Sequence, residues 1–156
     1  MDINYDEEVD SLVARLHCSG HGMLAEVIDD PSAIFRAIIQ LFPIMAGGFD
    51  WKRISVLSTT APVPNESADQ ALRRVLGELK TFLSNCHAKP GDRLIMLSDD
   101  FYSKAIRCTA ESVVNVIEAW LPLPHAIMIV PEDMRTFLYV SFAGTTFVAR
   151  SRHGRN

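Results

Sequence analysis

Four consecutive apolar residues, Leu94 to Leu97, follow the turn signal Pro90-Gly91-Asp92. An apolar run of this length between turn signals predicts a strand covered on both faces. It ends in the polar cluster Ser98-Asp99-Asp100, followed by Phe101 and Tyr102. The rest of the pattern can be arranged around this strand.

Toward the N-terminus, Val9, Leu12, Val13 and Leu16 recur at helical spacing and predict a surface helix from Asp6 to His17. Gly20 and Gly22 break it, and Met23 to Ile28 reads as a further short helical piece. Asp30 and Pro31 then form a helix start, with Asp30 as the cap. Ile34, Phe35, Ile38, Ile39 and Phe42 supply the apolar face of that helix, and Pro43 stops it. Residues 43–52 read as a loop carrying Phe49 and Trp51. Arg53 to Ser58 predicts a strand. The clearest helix runs from Ser67 to Cys86, with Leu72, Val75, Leu76, Leu79, Phe82 and Leu83 on one face.

After the opening strand, Thr109 reads as a cap for a helix containing Val113, Val114, Ile117 and Trp120, which Pro122 ends. His125 to Val130 predicts a third strand. Thr136 to Phe142 and Thr145 to Ser151 predict a hairpin through Ala143-Gly144. Two strand-helix-strand units imply a parallel β-α-β-α-β core. The expected fold is α/β: a mixed sheet of about five strands, parallel in its centre, with the C-terminal hairpin antiparallel at one edge. The N-terminal helices pack on one face. A single domain spans 1–156, with a helical part at 6–42 and an α/β part at 53–151, as the length suggests.

Charge changes this picture more than composition does. Residues 1–50 hold nine acids and two bases, whereas residues 51–156 hold ten acids and thirteen bases. An acidic first third argues against general nucleic-acid binding, which needs a basic footprint. It suits a basic protein surface instead, although such acids often serve only as a solvated face. No apolar run is long enough for a bilayer, and the acidic start does not read as a secretory signal. Three scattered cysteines fit reduced thiols in a cytoplasm.

Catalytic signatures are sparse. The chain has no Gly-x-Ser-x-Gly elbow, no Walker sequence and no Gly-x-Gly-x-x-Gly. His17-Cys18-x-x-His21 has metal-like residue types but no second ligand pair at zinc spacing, and a helix end explains it as well. Cys86 and His87 are adjacent, which does not make a nucleophile-base pair. An enzymatic reading would place a divalent cation or phosphate at Asp99 and Asp100, with Ser58, Thr59 or Asp133 nearby at the carboxyl ends of parallel strands. The same acids could simply start a turn. A third reading is an adaptor whose exposed hairpin edge, Thr145 to Ser151, pairs with a partner strand.

The size, the acidic N-terminal helix, and the segments Trp120-Leu-Pro-Leu-Pro-His-Ala-Ile-Met-Ile-Val130 and Phe137-Leu-Tyr-Val-Ser-Phe142 resemble bacterial immunity proteins, in particular those of contact-dependent growth inhibition systems. The resemblance implies a cytoplasmic protein without cofactor or catalysis. Its partner would be a cognate toxin domain, often a nuclease, rather than nucleic acid or membrane. It carries no site residue over. Electrostatics supplies candidates, because an acidic surface can occupy the basic cleft of a nuclease. These are Glu7, Glu8, Asp10, Asp29, Asp30, Asp99 and Asp100, with Phe101 and Tyr102 as aromatic anchors.

Overall fold

The computed structural model describes residues 5–18, 25–45, 48–98, 104–120, 126–141 and 143–151. The elements in chain order are α1 (Tyr5–Cys18), β1 (Ala25–Ile28), α2 (Ser32–Leu41), β2 (Ile44–Met45), β3 (Gly48–Phe49), β4 (Ser55–Thr60), α3 (Ala68–Asn85), β5 (Arg93–Ser98), β6 (Ala105–Thr109), α4 (Val113–Trp120), β7 (Ile127–Pro131), β8 (Thr136–Val140) and β9 (Thr146–Arg150). Seven strands form one sheet in the order β1-β6-β5-β7-β8-β9-β4, and β2-β3 is a separate pair. Every neighbouring pair in the large sheet is antiparallel.

This overturns the expected five-stranded sheet with a parallel core. Of the two expected strand-helix-strand units, the first keeps its direction but not its adjacency: β4 and β5 run the same way, with β7, β8 and β9 between them. In the second, β5 and β7 are neighbours but antiparallel. The physical reason is β6, which turns the chain back beside β5 before α4 begins, so α4 crosses β5 and delivers β7 to its other edge in the opposite direction. Four strands were not anticipated: the short pair β2-β3 forms within the segment read as a loop, and two belong to the large sheet. Ala25 to Ile28 pairs with β6 as an edge strand instead of forming a helical piece. Ala105-Ile-Arg-Cys-Thr109 returns directly beside β5, where Leu94 faces Cys108 and Met96 faces Ile106.

β5 separates two apolar layers because its side chains alternate. Leu94 and Met96 join the larger core, with Leu12 and Leu16 of α1, Leu79 and Phe82 of α3, and Ile117 and Trp120 of α4. Ile95 and Leu97 join the second core with Phe35 and Ile38 of α2, Phe42 at its C-cap and Phe137 of β8. The N-terminal helices therefore lie on opposite faces, not together on one. The second core is strongly aromatic. The Phe42 and Phe137 rings meet edge-on at 4.4 Å, and Trp51 stacks on Phe147 at 4.5 Å.

Local chemistry sets the ends of α3. Ser67 and Gln70 form a reciprocal capping box. At the other end His87 takes a left-handed conformation (φ 54°), its N–H donates to the Ser84 carbonyl, and the Ala88 N–H donates to the Leu83 carbonyl. This is a Schellman stop with histidine where glycine is usual. Arg74 then ties α3 to the sheet. Its Nε and Nη2 donate to Glu66 at 2.7 and 3.1 Å, and its Nη1 donates to the Gly144 carbonyl at 2.8 Å. Gly144 turns β8 into β9 with φ 89°, and a Cβ there would stand 3.3 Å from the Arg74 Nη2. The hairpin is as expected, but β4 covers its outer strand. Among the described residues β9 is therefore paired on both sides, against the exposed edge of the adaptor reading, and the outermost strands of the large sheet are β4 and β1.

Three outcomes follow for stability. Phe137→Ala removes a fully buried ring and should cost about 3–5 kcal/mol in urea unfolding. His87→Gly should stabilise by up to about 1 kcal/mol in the same assay, because the left-handed cost disappears. Arg74→Met should lower Tm at neutral pH. The Arg74 hydrogen bond holds the Glu66 carboxyl below its ordinary pKa. That contribution is present above the unfolded carboxyl pKa and is lost as pH falls through the folded one. The Tm gap between Arg74→Met and the native chain should therefore narrow in thermal melts taken from pH 7 down to pH 3.

Candidate functional site

The sheet register decides which of the acids meet. β1 and β5 both finish at the end of the sheet where β6 begins, and Ile28 faces Ala105. The next residues outward are Asp29 and Lys104. α1 packs along β1 and brings Asp10 to the same place. The Lys104 Nζ donates to the Asp10 carboxylate at 2.8 Å and lies 3.2 Å from the Asp29 carboxylate. The Asp10 hydrogen bond, then the Asp29 contact, raises the Lys104 pKa above its ordinary value. The ammonium therefore stays charged throughout the neutral range, between two carboxylates.

Asp30 stands beside this trio and is exposed. Its carboxylate accepts from both the hydroxyl and the backbone N–H of Ser32. Those bonds, the side-chain one first, hold its carboxyl below the usual value. This is close to the expected capping role, shifted by one residue: Pro31 occupies the cap position and the helix begins at Ser32. Glu7 is exposed one turn from Asp10 on α1. Glu8 is half-buried, and its Oε2 has no hydrogen-bond partner among the described residues. It contributes less open surface than its neighbours. Asp99, Asp100, Phe101 and Tyr102 lie outside the described residues, in the stretch of sequence joining β5 to β6.

Among the described residues, Glu7, Asp10, Asp29 and Asp30 thus form an acidic end of the sheet with Lys104 inside it. Lys104 was not singled out from the sequence. Its only signal there was a base closely following the acids Asp99-Asp100, too weak to indicate a role.

The enzymatic arrangement does not assemble. It required three polar turns at the carboxyl ends of adjacent parallel strands. Because β7 is antiparallel to β5, Pro131 faces Leu94 at the start of β5. Asp133 therefore follows at the end of the sheet opposite Ser98. Ser58 and Thr59 lie on β4, with β9, β8 and β7 between them and β5. No group of three or more His, Cys, Asp or Glu among the described residues is placed to hold a metal ion. His17 has a structural partner, since its Nε2 donates to the Ala25 carbonyl at 2.9 Å and ties α1 to β1.

Cys86 and Cys108 are not poised for nucleophilic chemistry. Burial pushes the Cys108 pKa up to about 12. Burial also raises that of Cys86, which lies 3.3 Å from the Thr136 hydroxyl. His87 belongs to the helix stop. Among the described residues no helix is long and apolar enough to cross a membrane.

No protein-family model matches the chain, and no curated protein is significantly similar to it in sequence.

The three cysteines should separate clearly in native thiol titration with a disulfide reagent at pH 8. Exposed Cys18 should react first, half-buried Cys86 more slowly, and Cys108 only after unfolding.

Proposed function

We propose that this protein is an immunity protein that binds a cognate bacterial toxin domain and neutralises it by charge-complementary blocking. The observation that carries this reading is the convergence of Asp10 and Asp29, from separate elements, at the end of the sheet, with exposed Glu7 and Asp30 alongside. Lys104 balances one of these charges and leaves the surface net negative. It also holds two of the carboxylates in place, so less side-chain freedom remains to be lost on binding. An acidic, partly ordered surface is suited to the basic cleft of a nuclease, where it excludes the phosphate backbone and associates rapidly. The described chemistry of the site serves binding: the acids are exposed, Asp10 and Asp29 are paired with the Lys104 ammonium, and Asp30 is bonded to Ser32.

Co-expression provides the test. A toxic domain encoded beside this gene would be induced with and without the protein, and growth would be followed. Rescue and co-purification of the pair are the expected results. Combining Glu7→Gln, Asp10→Asn, Asp29→Asn and Asp30→Asn should weaken the complex at least about tenfold and flatten its salt dependence. Toxicity unchanged by abundant folded protein would end the proposal. Undiminished affinity of the neutralised variant would move the interface away from this surface.

A further inference from the structure

The end of the sheet opposite the acidic surface carries a cavity of about 370 Å³, lined by Leu41, Pro43, Arg53, Ile54, Ser55, Arg150 and Ser151. The sheet register builds it. Ser55 begins β4 directly opposite Arg150, the last residue of β9, and Ser151 follows. The end of α2 and the segment after it supply the apolar wall. Its described lining contains two guanidinium groups, two hydroxyls and no carboxylate.

Three observations indicate a ligand here. First, Arg150 is exposed and forms no ion pair or side-chain hydrogen bond among the described residues. Arg53 is held only loosely, with its Nε 4.0 Å from the Asp50 carboxylate. Second, Ser151 lines the cavity, and its hydroxyl forms no hydrogen bond to a described residue, so it can donate to a bound group. Its backbone is fixed, because the Ser151 N–H donates to the Arg135 carbonyl at 2.8 Å. Third, the volume falls within the range of small-molecule sites. A second cavity at this end, about 220 Å³, is lined by Asp92, Glu132 and Asp133 as well as Arg93. There the carboxylates outnumber the guanidinium and would repel an anion.

We infer that the cavity between Arg53, Arg150 and Ser151 is a binding site for a phosphate group, either free or carried by a small phosphomonoester. Guanidinium groups match phosphate oxygens through paired N–H donors. The hydroxyls of Ser55 and Ser151 can donate to the remaining oxygens, while Leu41, Pro43 and Ile54 accommodate the apolar part of an ester. Asp50 moderates the charge of Arg53 but does not line the cavity. The site is independent of the acidic surface and of the toxin-binding reading.

The test is an amide NMR titration of the full chain with inorganic phosphate, and separately with glycerol 2-phosphate, at constant ionic strength. Saturable shifts at Ser55, Arg150 and Ser151 are expected. Tighter binding of glycerol 2-phosphate would identify the ligand as an ester, and equal or weaker binding would identify free phosphate. Arg150→Gln and Arg53→Gln should each weaken affinity about tenfold, and Ser151→Ala by a smaller factor. Arg73→Gln, exposed on α3 and away from the cavity, should change nothing. Circular dichroism would confirm that each variant is folded, and either arginine variant alone suffices. Shifts no larger than those from chloride, or affinity retained in both arginine variants, would overturn the assignment.

Discussion

A strand buried on both faces must also be hydrogen-bonded along both edges, because unpaired backbone groups cannot be left in an apolar interior. β5 is such a strand. Leu94 and Met96 enter one core, and Ile95 and Leu97 enter the other. β6 satisfies one edge and β7 the other, both antiparallel. The remaining architecture depends on this arrangement. α4 must carry the chain across β5 to reach β7. The β7-β8-β9 meander then extends the sheet until β4 closes it, and α1 with α3 and α4 covers one face while α2 covers the other.

The same antiparallel order separates the charges. The ends of β1 and β5 lie with the beginning of β6, so Asp29 and Lys104 become neighbours and Asp10 joins them from α1. At the opposite end, the beginning of β4 meets the end of β9, and Arg53, Ser55, Arg150 and Ser151 surround a cavity. One end presents carboxylates around Lys104, the surface proposed to meet a basic partner. The other presents two guanidinium groups and two hydroxyls around a cavity, the proposed phosphate site. Each surface depends on register, since a slip of one residue would send these side chains to the other face.

The candidate surface was only partly legible in advance. Acidity and exposure are properties of residue type, so Glu7, Asp10, Asp29 and Asp30 stood out. Their convergence did not, because it requires β1, which the sequence presented as a helical piece. Ala25-Glu-Val-Ile28 is too short for its period to identify it, and only pairing with β6 makes it a strand. β6 was missed for a related reason. Arg107 interrupts an otherwise apolar alternation, and nothing local shows that its chain returns beside β5. Arg53 and Arg150 are far apart in sequence, and neither signals a site alone.

By itself, the sequence determined the elements whose signal is local. The stripe of α3, the apolar faces of α1, α2 and α4, the buried run of β5 and the β8-β9 hairpin are set by periodicities and turn residues within each segment. Only the tertiary structure decided which strands are neighbours and in which direction they pair. A helix between two strands fixes neither their adjacency nor, when an unseen strand such as β6 intervenes, their direction, and both are set by the non-local hydrogen bonds that complete the edges of β5. The pairing of Asp10 and Asp29 around Lys104 and the cavity of Arg53 and Arg150 are consequences of that choice, so they emerge only when the whole sheet is assembled.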